Sequence, residues 1–206
     1  MDELHSNKGK IRIIGGDFRG RRIVVPDRPG LRPTPDRVRE TLFNWLGQRL
    51  DGLACLDLFA GSGALGFEAA SRGAARVVMV EQDRKTFSEL QRSRDLLRAR
   101  SVEIILDDAF AYLRKGQAFD VVFLDPPFGQ NALPAVFRQL RPAAGMRAYV
   151  EASEPFAPGA RVYVEAEAAV RAHAPWAEIR GARAGQVSYQ LLEWRSDDQG
   201  GLSRNV

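Results

Sequence analysis

From Leu53 onward the chain alternates short, uniformly apolar runs with longer stretches in which apolar residues recur every three or four positions. The short runs predict strands at Cys55–Phe59, Arg76–Glu81, Val102–Leu106, Val121–Leu124 and Arg147–Glu151. The periodic stretches between them predict helices at Ala64–Arg72, Arg84–Arg98, Ala109–Leu113 and Leu133–Leu140. Strands without polar alternation are buried on both faces, which is the condition of a parallel sheet covered by helices. The pattern changes near the end: Ala177–Ala182 and Gln186–Trp194 flank Arg183-Ala184-Gly185 and read as an antiparallel hairpin. The fold class is therefore α/β, doubly wound and Rossmann-like.

Ahead of this array, Ile11-Arg12-Ile13-Ile14 and Arg21-Arg22-Ile23-Val24-Val25 read as two short strands joined through Gly15-Gly16-Asp17-Phe18-Arg19-Gly20. A proline-rich link runs from Pro26 to Pro33. Thr34-Pro35-Asp36 then supplies an N-cap, a proline at the first helical position and an acid in the first turn. Val38, Leu42, Trp45, Leu46 and Leu50 share one face, which predicts a helix from Pro35 to Leu50 with Arg37, Arg39 and Glu40 outside the buried stripe. The chain thus divides into an extension and linker over 1–34, a main domain over 35–195 and an aperiodic tail over 196–206. No internal repeat is evident.

At 206 residues and 45% hydrophobic content there is material for one large core. No window has the roughly 18 uninterrupted apolar residues of a membrane span, and Met1 to Lys10 lacks the apolar centre of a signal peptide. A cytoplasmic protein without membrane contact is expected. One cysteine, Cys55, lies in an apolar run, and the two histidines, His5 and His173, have no ligand-like neighbours. Disulfides, zinc and a Ser-His-Asp triad are therefore not expected, and the metal expectation is none. Charge is unevenly spread: Lys8 to Arg39 holds ten Lys or Arg against three Asp, so a local +7 is balanced by −3 over the rest. A basic front of this kind suits a polyanion, because each neutralised phosphate releases counterions. Arg12, Arg19, Arg21, Arg32 and Arg37 are the candidates for phosphate contacts.

The candidate chemistry lies at the strand ends. Asp57, Glu81, Asp107-Asp108 and Asp125 close successive predicted strands, whose carboxyl ends share one sheet edge in a doubly wound fold. Gly61-Ser62-Gly63-Ala64-Leu65-Gly66 has the G-x-G-x-x-G form, and Glu81 follows Gly63 by 18 residues, placed to accept from ribose hydroxyls. That pattern fits a nicotinamide dinucleotide as well as S-adenosylmethionine. Asp57 separates them, because a carboxylate beside the loop repels a pyrophosphate and attracts the ammonium of a methionine moiety. After Val121-Val122-Phe123-Leu124 comes Asp125-Pro126-Pro127-Phe128. The prolines end the strand in a rigid turn that presents a carboxylate, oriented carbonyls and an aromatic ring, suited to a planar base with an exocyclic amine.

Asp57-Leu58-Phe59-Ala60-Gly61-Ser62-Gly63 and Asp125-Pro126-Pro127-Phe128 resemble the cofactor loop and catalytic tetrapeptide of class I methyltransferases acting on exocyclic amines. With Ile11 to Gly16, Gly30-Leu31-Arg32-Pro33-Thr34, Arg37 to Asn44 and Ala184-Gly185-Gln186-Val187, the chain resembles the bacterial small-subunit ribosomal RNA guanine-N2 methyltransferases of the RsmD type over Lys8 to Trp194. The resemblance implies a seven-stranded sheet with an antiparallel last strand and a basic hairpin that helps hold RNA. S-adenosylmethionine is the implied cofactor, with Asp57, Phe59, Ala60, Gly61, Ser62 and Gly63 along the methionine portion. Glu81 and the neighbouring Gln82 would serve the ribose, Asp108 and Ala109 the adenine, and Asp125, Pro126, Pro127 and Phe128 the amine site. The implied partner is 16S ribosomal RNA or the assembling small subunit, met by a monomer. Adenine-N6 and glutamine-N5 methyltransferases remain alternatives, as does a non-catalytic RNA-binding module. The two methyltransferase alternatives carry related tetrapeptides, more often with Asn first and Tyr last.

Overall fold

A computed structural model describes residues 9–25, 34–127, 132–140, 160–172 and 175–195. The chain opens with β1 (Lys10–Arg12) and β2 (Arg22–Val24), paired antiparallel with Ile11 opposite Ile23. Alternation decides which way the ribbon faces: Ile11, Ile13 and Ile23 point into the core while Lys10, Arg12 and Arg22 are exposed. The turn between the strands lies against the end of α2 (Ala64–Ser71). The Asp17 N–H donates to the Ser71 carbonyl at 2.7 Å and the Phe18 N–H to Ser71 Oγ at 2.8 Å. Gly16 makes this possible: its φ is +72°, and a Cβ there would come within 1.8 Å of the Ser71 carbonyl oxygen. The hairpin therefore shares one core with the main domain rather than extending from it.

The helix predicted over Pro35–Leu50 is shorter, α1 (Asp36–Leu46). It closes at Gly47, with the Gly47 N–H on the Asn44 carbonyl and the Gln48 N–H on the Phe43 carbonyl. Leu50 keeps the helical spacing by coincidence of a loop that returns it to the core. Two expectations at the start of α1 are also corrected. Thr34 does not cap the helix, where no side-chain cap forms. Its side chain is buried and hydrogen-bonds to Asp125 and Glu165. Arg39 is not free for solvent or ligand, being completely buried.

The remaining strands are β3 (Ala54–Asp57), β4 (Arg76–Glu81), β5 (Val102–Leu106), β6 (Val121–Leu124), β7 (Arg161–Ala166), β8 (Trp176–Ala184) and β9 (Val187–Trp194). They form one sheet of seven in the order β5-β4-β3-β6-β7-β9-β8. The first five pair parallel, and β9 runs antiparallel to both its neighbours. The sheet predicted from the resemblance is thus present, with the final hairpin where the sequence placed it.

Each face of the sheet has its own core. Cys55, Val77, Met79, Val121, Phe123 and Tyr163 pack toward α1, α2 and the hairpin, along with α3 (Arg84–Leu97). Leu56, Val78, Val80, Val122, Leu124 and Val164 pack toward α4 (Ala109–Leu113) and α5 (Ala132–Gln139). This double coverage is why these strands show no polar alternation. No helix of the described residues is long and apolar enough to cross a membrane.

One strand was not foreseen. The strand predicted at Arg147–Glu151, Phe128, Arg32 and the 196–206 tail lie outside the described residues. The place beside β6 belongs to Arg161–Ala166. The hexad Arg-Val-Tyr-Val-Glu-Ala of β7 is a near copy of Arg147-Ala148-Tyr149-Val150-Glu151-Ala152, so the chain does carry one short internal repeat.

Candidate active site

The chain leaves β3 toward β4 and β5 on one side and later returns to β6 and β7 on the other. Connections diverge at that point, so a crevice opens outside the carboxyl ends of the central strands. Asp57 ends β3, Glu81 ends β4, Asp107-Asp108 follows β5 and Asp125 follows β6, as predicted. The four acid positions do come together on one edge, and β7 adds a fifth, Glu165.

Asp57 is only 2% exposed, and its Oδ2 accepts the Gly66 N–H at 3.0 Å. Burial pushes this carboxyl up to about 7, the Gly66 N–H pulls it down, and the negative Glu81 and Glu165 add to the rise. A cation beside it would favour the ionised form. Glu81 fixes the loop above: Oε2 accepts the Gly61 N–H at 3.0 Å and Oε1 the Asp83 N–H at 2.8 Å. Gly63 enters α2 with φ +78°, where a Cβ would lie 2.7 Å from Leu90 Cδ2 and from Phe67 Cε2. Those side-chain ends crowd the space a Cβ would take, and the positive φ is itself the conformation that glycine adopts without strain. Ala60 and Ser62 are buried, Phe59 and Gly61 partly so, and Gln82 is exposed.

The adjacent acids after β5 divide their work. Asp107 pairs with Lys115 at 2.7 Å, and the hydrogen bond from that lysine holds its carboxyl below the usual range. Asp108 is exposed on the crevice rim, caps α4 by accepting the Ala111 N–H at 2.9 Å, and places the buried Ala109 beside it.

Asp125 is partly accessible at the end of β6, with Pro126 buried behind it and Pro127 exposed. Burial and the neighbouring Glu165 and Asp57 push its carboxyl well above the ordinary range, while the Thr34 side chain opposes the rise. Glu165 is 5% exposed and likewise pushed up by burial, against hydrogen bonds from Tyr163 and Thr34. Thr34 is held from behind, since its carbonyl accepts from Arg39 Nε at 3.2 Å. Arg39 also meets Asp36 at 2.6 Å, the Arg12 carbonyl at 3.0 Å and Glu68 at 3.4 Å. Glu68 accepts in turn from the Ile14 and Gly15 N–H groups at 2.9 and 2.8 Å and from Arg72 at 2.9 Å. A continuous polar chain therefore ties hairpin, α1 and α2 to the carboxylate of the tetrapeptide. Sequence reading missed Thr34, Arg39, Glu68 and Glu165 as parts of the site. For Glu165 a signal existed, in the alternation of Arg161-Val162-Tyr163-Val164-Glu165.

On the basic front, Arg12, Arg19 and Arg37 are exposed, with Arg12 near Asp36 at 3.5 Å. Arg21 has other partners: it donates to the Leu97 carbonyl at 2.9 Å and to the Leu96 carbonyl, and stands over the Phe18 ring. Its guanidinium closes the last turn of α3, where a cation also suits the helix dipole.

A sheet of this order with one antiparallel strand, a glycine loop after its first strand and acids along its carboxyl edge defines the class I methyltransferases. Within that class the chain belongs to the family described as Conserved hypothetical protein 95, which matches residues 11–193. It is 43% identical over 193 residues to "Ribosomal RNA small subunit methyltransferase D" of Escherichia coli, covering 92% of each chain. The solved structure "Putative methyltransferase yhhF from Escherichia coli" is 42% identical, covers 92% of this chain and 100% of its own, and superposes with a TM-score of 0.78. An RNA methyltransferase from Salinibacter ruber, solved in complex with S-adenosyl-L-homocysteine, shares the fold at a TM-score of 0.57 and 20% identity over 84% of this chain and 100% of its own.

Proposed function

We propose that this chain transfers a methyl group from S-adenosylmethionine to the exocyclic N2 amine of a guanine in small-subunit ribosomal RNA. The observation that carries the reading is the convergence of Asp57, Glu81, Asp108 and Asp125 on the carboxyl edge, around a glycine loop that turns into α2 at Gly63 with φ +78°. The donor set fits the cofactor: Asp57 for the ammonium, Glu81 for the ribose hydroxyls, and Asp108 with the Ala109 backbone for the adenine amine. S-adenosylmethionine supplies an electrophilic methyl carbon on a sulfonium.

The residues of the chain do the rest. The guanine N2 lone pair is delocalised into the ring and nucleophilic only when the amine leaves the ring plane. Asp125 and the Pro126 carbonyl, each accepting one N–H, favour that geometry, and the prolines keep both acceptors where the strand leaves them. Asp125 also balances the positive charge that grows on N2 and takes the proton it releases. Phe128 stacks on the base once it is drawn out of its surroundings. Arg12, Arg19 and Arg37, exposed on the hairpin and α1, hold the phosphates.

The test is mass spectrometry of small-subunit RNA from cells with and without the protein. Loss of one N2-methylguanine is expected, and an unchanged guanine methylation pattern overturns the assignment. In purified protein, Asp125→Ala is expected to abolish transfer while calorimetric binding of S-adenosylmethionine is retained; an active variant would sink the role given to Asp125.

A further inference from the structure

Exposed cations flank the crevice on both sides, at the height of the amine site. Asp57 pairs with Met79 on one neighbour and with Phe123 on the other, so Glu81 and Asp125 each lie two residues further along and stand level. Arg84 and Lys85 follow Glu81 as the first two residues of α3, both exposed. On the opposite flank Leu124 pairs with Val164 and Glu165 with Tyr189, which sets Asp125, Glu165 and Tyr189 at one level. Arg183 pairs with Ser188 one step beyond that level, and the turn Ala184-Gly185-Gln186-Val187 stands past it. Arg183 is exposed on the edge strand β8, and the turn is open at Gly185, where φ is +60° and a Cβ would meet nothing within 4 Å.

Among the described residues no carboxylate pairs with Arg84, Lys85 or Arg183, whereas Arg49, Arg76, Arg92, Arg94 and Lys115 each have one. Helix polarity separates Arg84 and Lys85 from the cations at the far ends of the helices. Arg94 in the last turn of α3, Arg98 just after it and Arg138 in the last turn of α5 lie where a helix dipole favours positive charge. Arg84 and Lys85 lie at the end where it disfavours positive charge, in a first turn without an acid. Asp83 ahead of them caps the helix, accepting the Thr86 N–H and hydroxyl, each at 2.8 Å. Local structure gives no reason for two cations at this end; a polyanion across the edge does.

We propose that Arg84 and Lys85 at the start of α3, and Arg183 at the β8–β9 tip, hold the RNA phosphates on either side of the nucleotide at Asp125. The inference rests on the guanine-N2 reading above. In the sheet order β4 and β8 are five strand spacings apart, about 24 Å at about 4.8 Å each, with β6 two spacings from one and three from the other. A few nucleotides of single strand bridge that width, with the target base lowered between the flanks. Between them the exposed Glu167, just after β7, repels phosphate, so the strand is held from its two ends. The glycine turn of the last hairpin thereby has a use: it carries Arg183 past the edge of the sheet. These contacts fix register and orientation and leave base choice to the amine site.

Two assays on the full chain test this. The first makes no reference to guanine: fluorescence anisotropy of a labelled single-stranded RNA of about twelve nucleotides, titrated at several potassium chloride concentrations. Replacing Arg84, Lys85 and Arg183 together by Gln is expected to reduce the slope of log K against log salt by about 2, and to weaken binding about tenfold to a hundredfold at about 0.15 M salt. Arg100→Gln with Arg138→Gln, at the far ends of α3 and α5, is expected to leave both unchanged. In the second assay, with small subunits purified from cells lacking the protein, the triple variant is expected to raise the KM for the subunit about tenfold while kcat and the KM for S-adenosylmethionine hold. Its Tm is expected not to fall, because cations have left the unfavourable end of α3. An unchanged slope, an equal loss in the far-edge variant, or a lowered Tm overturns the proposal. If Arg183→Gln alone causes self-association in sedimentation and leaves the slope as it was, the arginine guards an edge strand and the hairpin half of the proposal falls. Should the unaltered protein bind the oligonucleotide with the expected slopes and not methylate small subunits, the functional reading fails and the phosphate sites stand. Should it methylate them and the triple variant do so with the same KM, the phosphate sites fail and the reading stands.

Discussion

Replacing Glu68 by alanine takes the centre out of the network that joins the hairpin to the carboxyl edge of the sheet. Glu68 and Arg39 are both completely buried, and the Arg72 side chain is 9% exposed. Without the carboxylate, Arg72 keeps the Gln48 carbonyl at 3.2 Å and the face of Phe43 at 4.7 Å, while Arg39 keeps Asp36 and two carbonyls. Two cations then lie in the core with one carboxylate between them, and the Ile14 and Gly15 N–H groups lose their acceptors. Removing one member of a buried ion pair costs about 3–5 kcal/mol, and each orphaned N–H adds about 1–3 kcal/mol, not additively. Because Arg39 retains a partner, the lower half of the ion-pair range applies, and the amides bring the total to about 4 kcal/mol. For a chain of this size that is a fall in Tm of roughly 8–16 °C. Urea denaturation followed by tryptophan fluorescence measures the midpoint, and amide exchange at Ile14 and Gly15 reports whether the hairpin loosens first. A destabilisation below about 1 kcal/mol would refute the reasoning, since it would mean that Arg39 and Arg72 find other anions at no cost.

Three further outcomes follow from separate parts of the site. Asp57 has its carboxyl raised to about 7, so between its unfolded value and that point the folded chain binds a proton that the unfolded chain does not. Stability contributed by this group is present in acid and lost as pH rises through neutrality, by at most about 4 kcal/mol. Asp57→Asn is thus expected to flatten the fall in stability between pH 5 and 8 measured by urea titration, and to abolish S-adenosylmethionine binding; an unaltered slope would show that Asp57 is ionised in the free protein. Gly16→Ala drives a methyl into the Ser71 carbonyl and is expected to lower Tm and RNA affinity together without changing cofactor affinity, and a neutral effect would mean that the hairpin does not dock where described. Neutralising Arg12, Arg19 and Arg37 together is expected to reduce the salt slope of RNA binding by about 2 to 3, whereas an unchanged slope places the RNA elsewhere.

The sheet was legible because burial on both faces removes polar residues from a strand, and β4, β5, β6 and α4 were placed to the residue. The acids of the carboxyl edge were legible for a related reason: a carboxyl that ends a buried apolar run needs donors to hold it, as Asp57 and Glu81 have in the loops beyond their strands, so Asp57, Glu81 and Asp125 stand out. Boundaries failed where two different causes give the same pattern. Leu50 continues the spacing of α1 yet is buried by a loop after Gly47, since periodicity records which residues are inside but not which path brings them there. Of two hexads with one pattern in one stretch of chain, Arg161–Ala166 is the one that pairs with β6, while the strand predicted at Arg147–Glu151 lies outside the described residues; pattern alone does not choose between copies.

The failures at Thr34 and Arg39 are of another kind, and they bear on function. Thr34-Pro35-Asp36 satisfies every local rule for a helix start, and Arg39 sits beside the apolar stripe as solvated arginines do. Local propensity is worth about 1 kcal/mol at a cap, whereas a buried carboxylate left without donors costs several times that. Asp125 and Glu165, pressed together at the strand ends, therefore outbid the helix for the Thr34 hydroxyl, and Arg39 goes inward to hold the Thr34 carbonyl and meet Glu68. The demand that overrides the local rule comes from the carboxyls of the sheet edge. Thr34, which reads as a helix cap, therefore belongs with the carboxyl edge instead: its side chain is the partner that Asp125 and Glu165 share, and the hairpin that precedes it in the chain packs into the core on the same side of the sheet as α1.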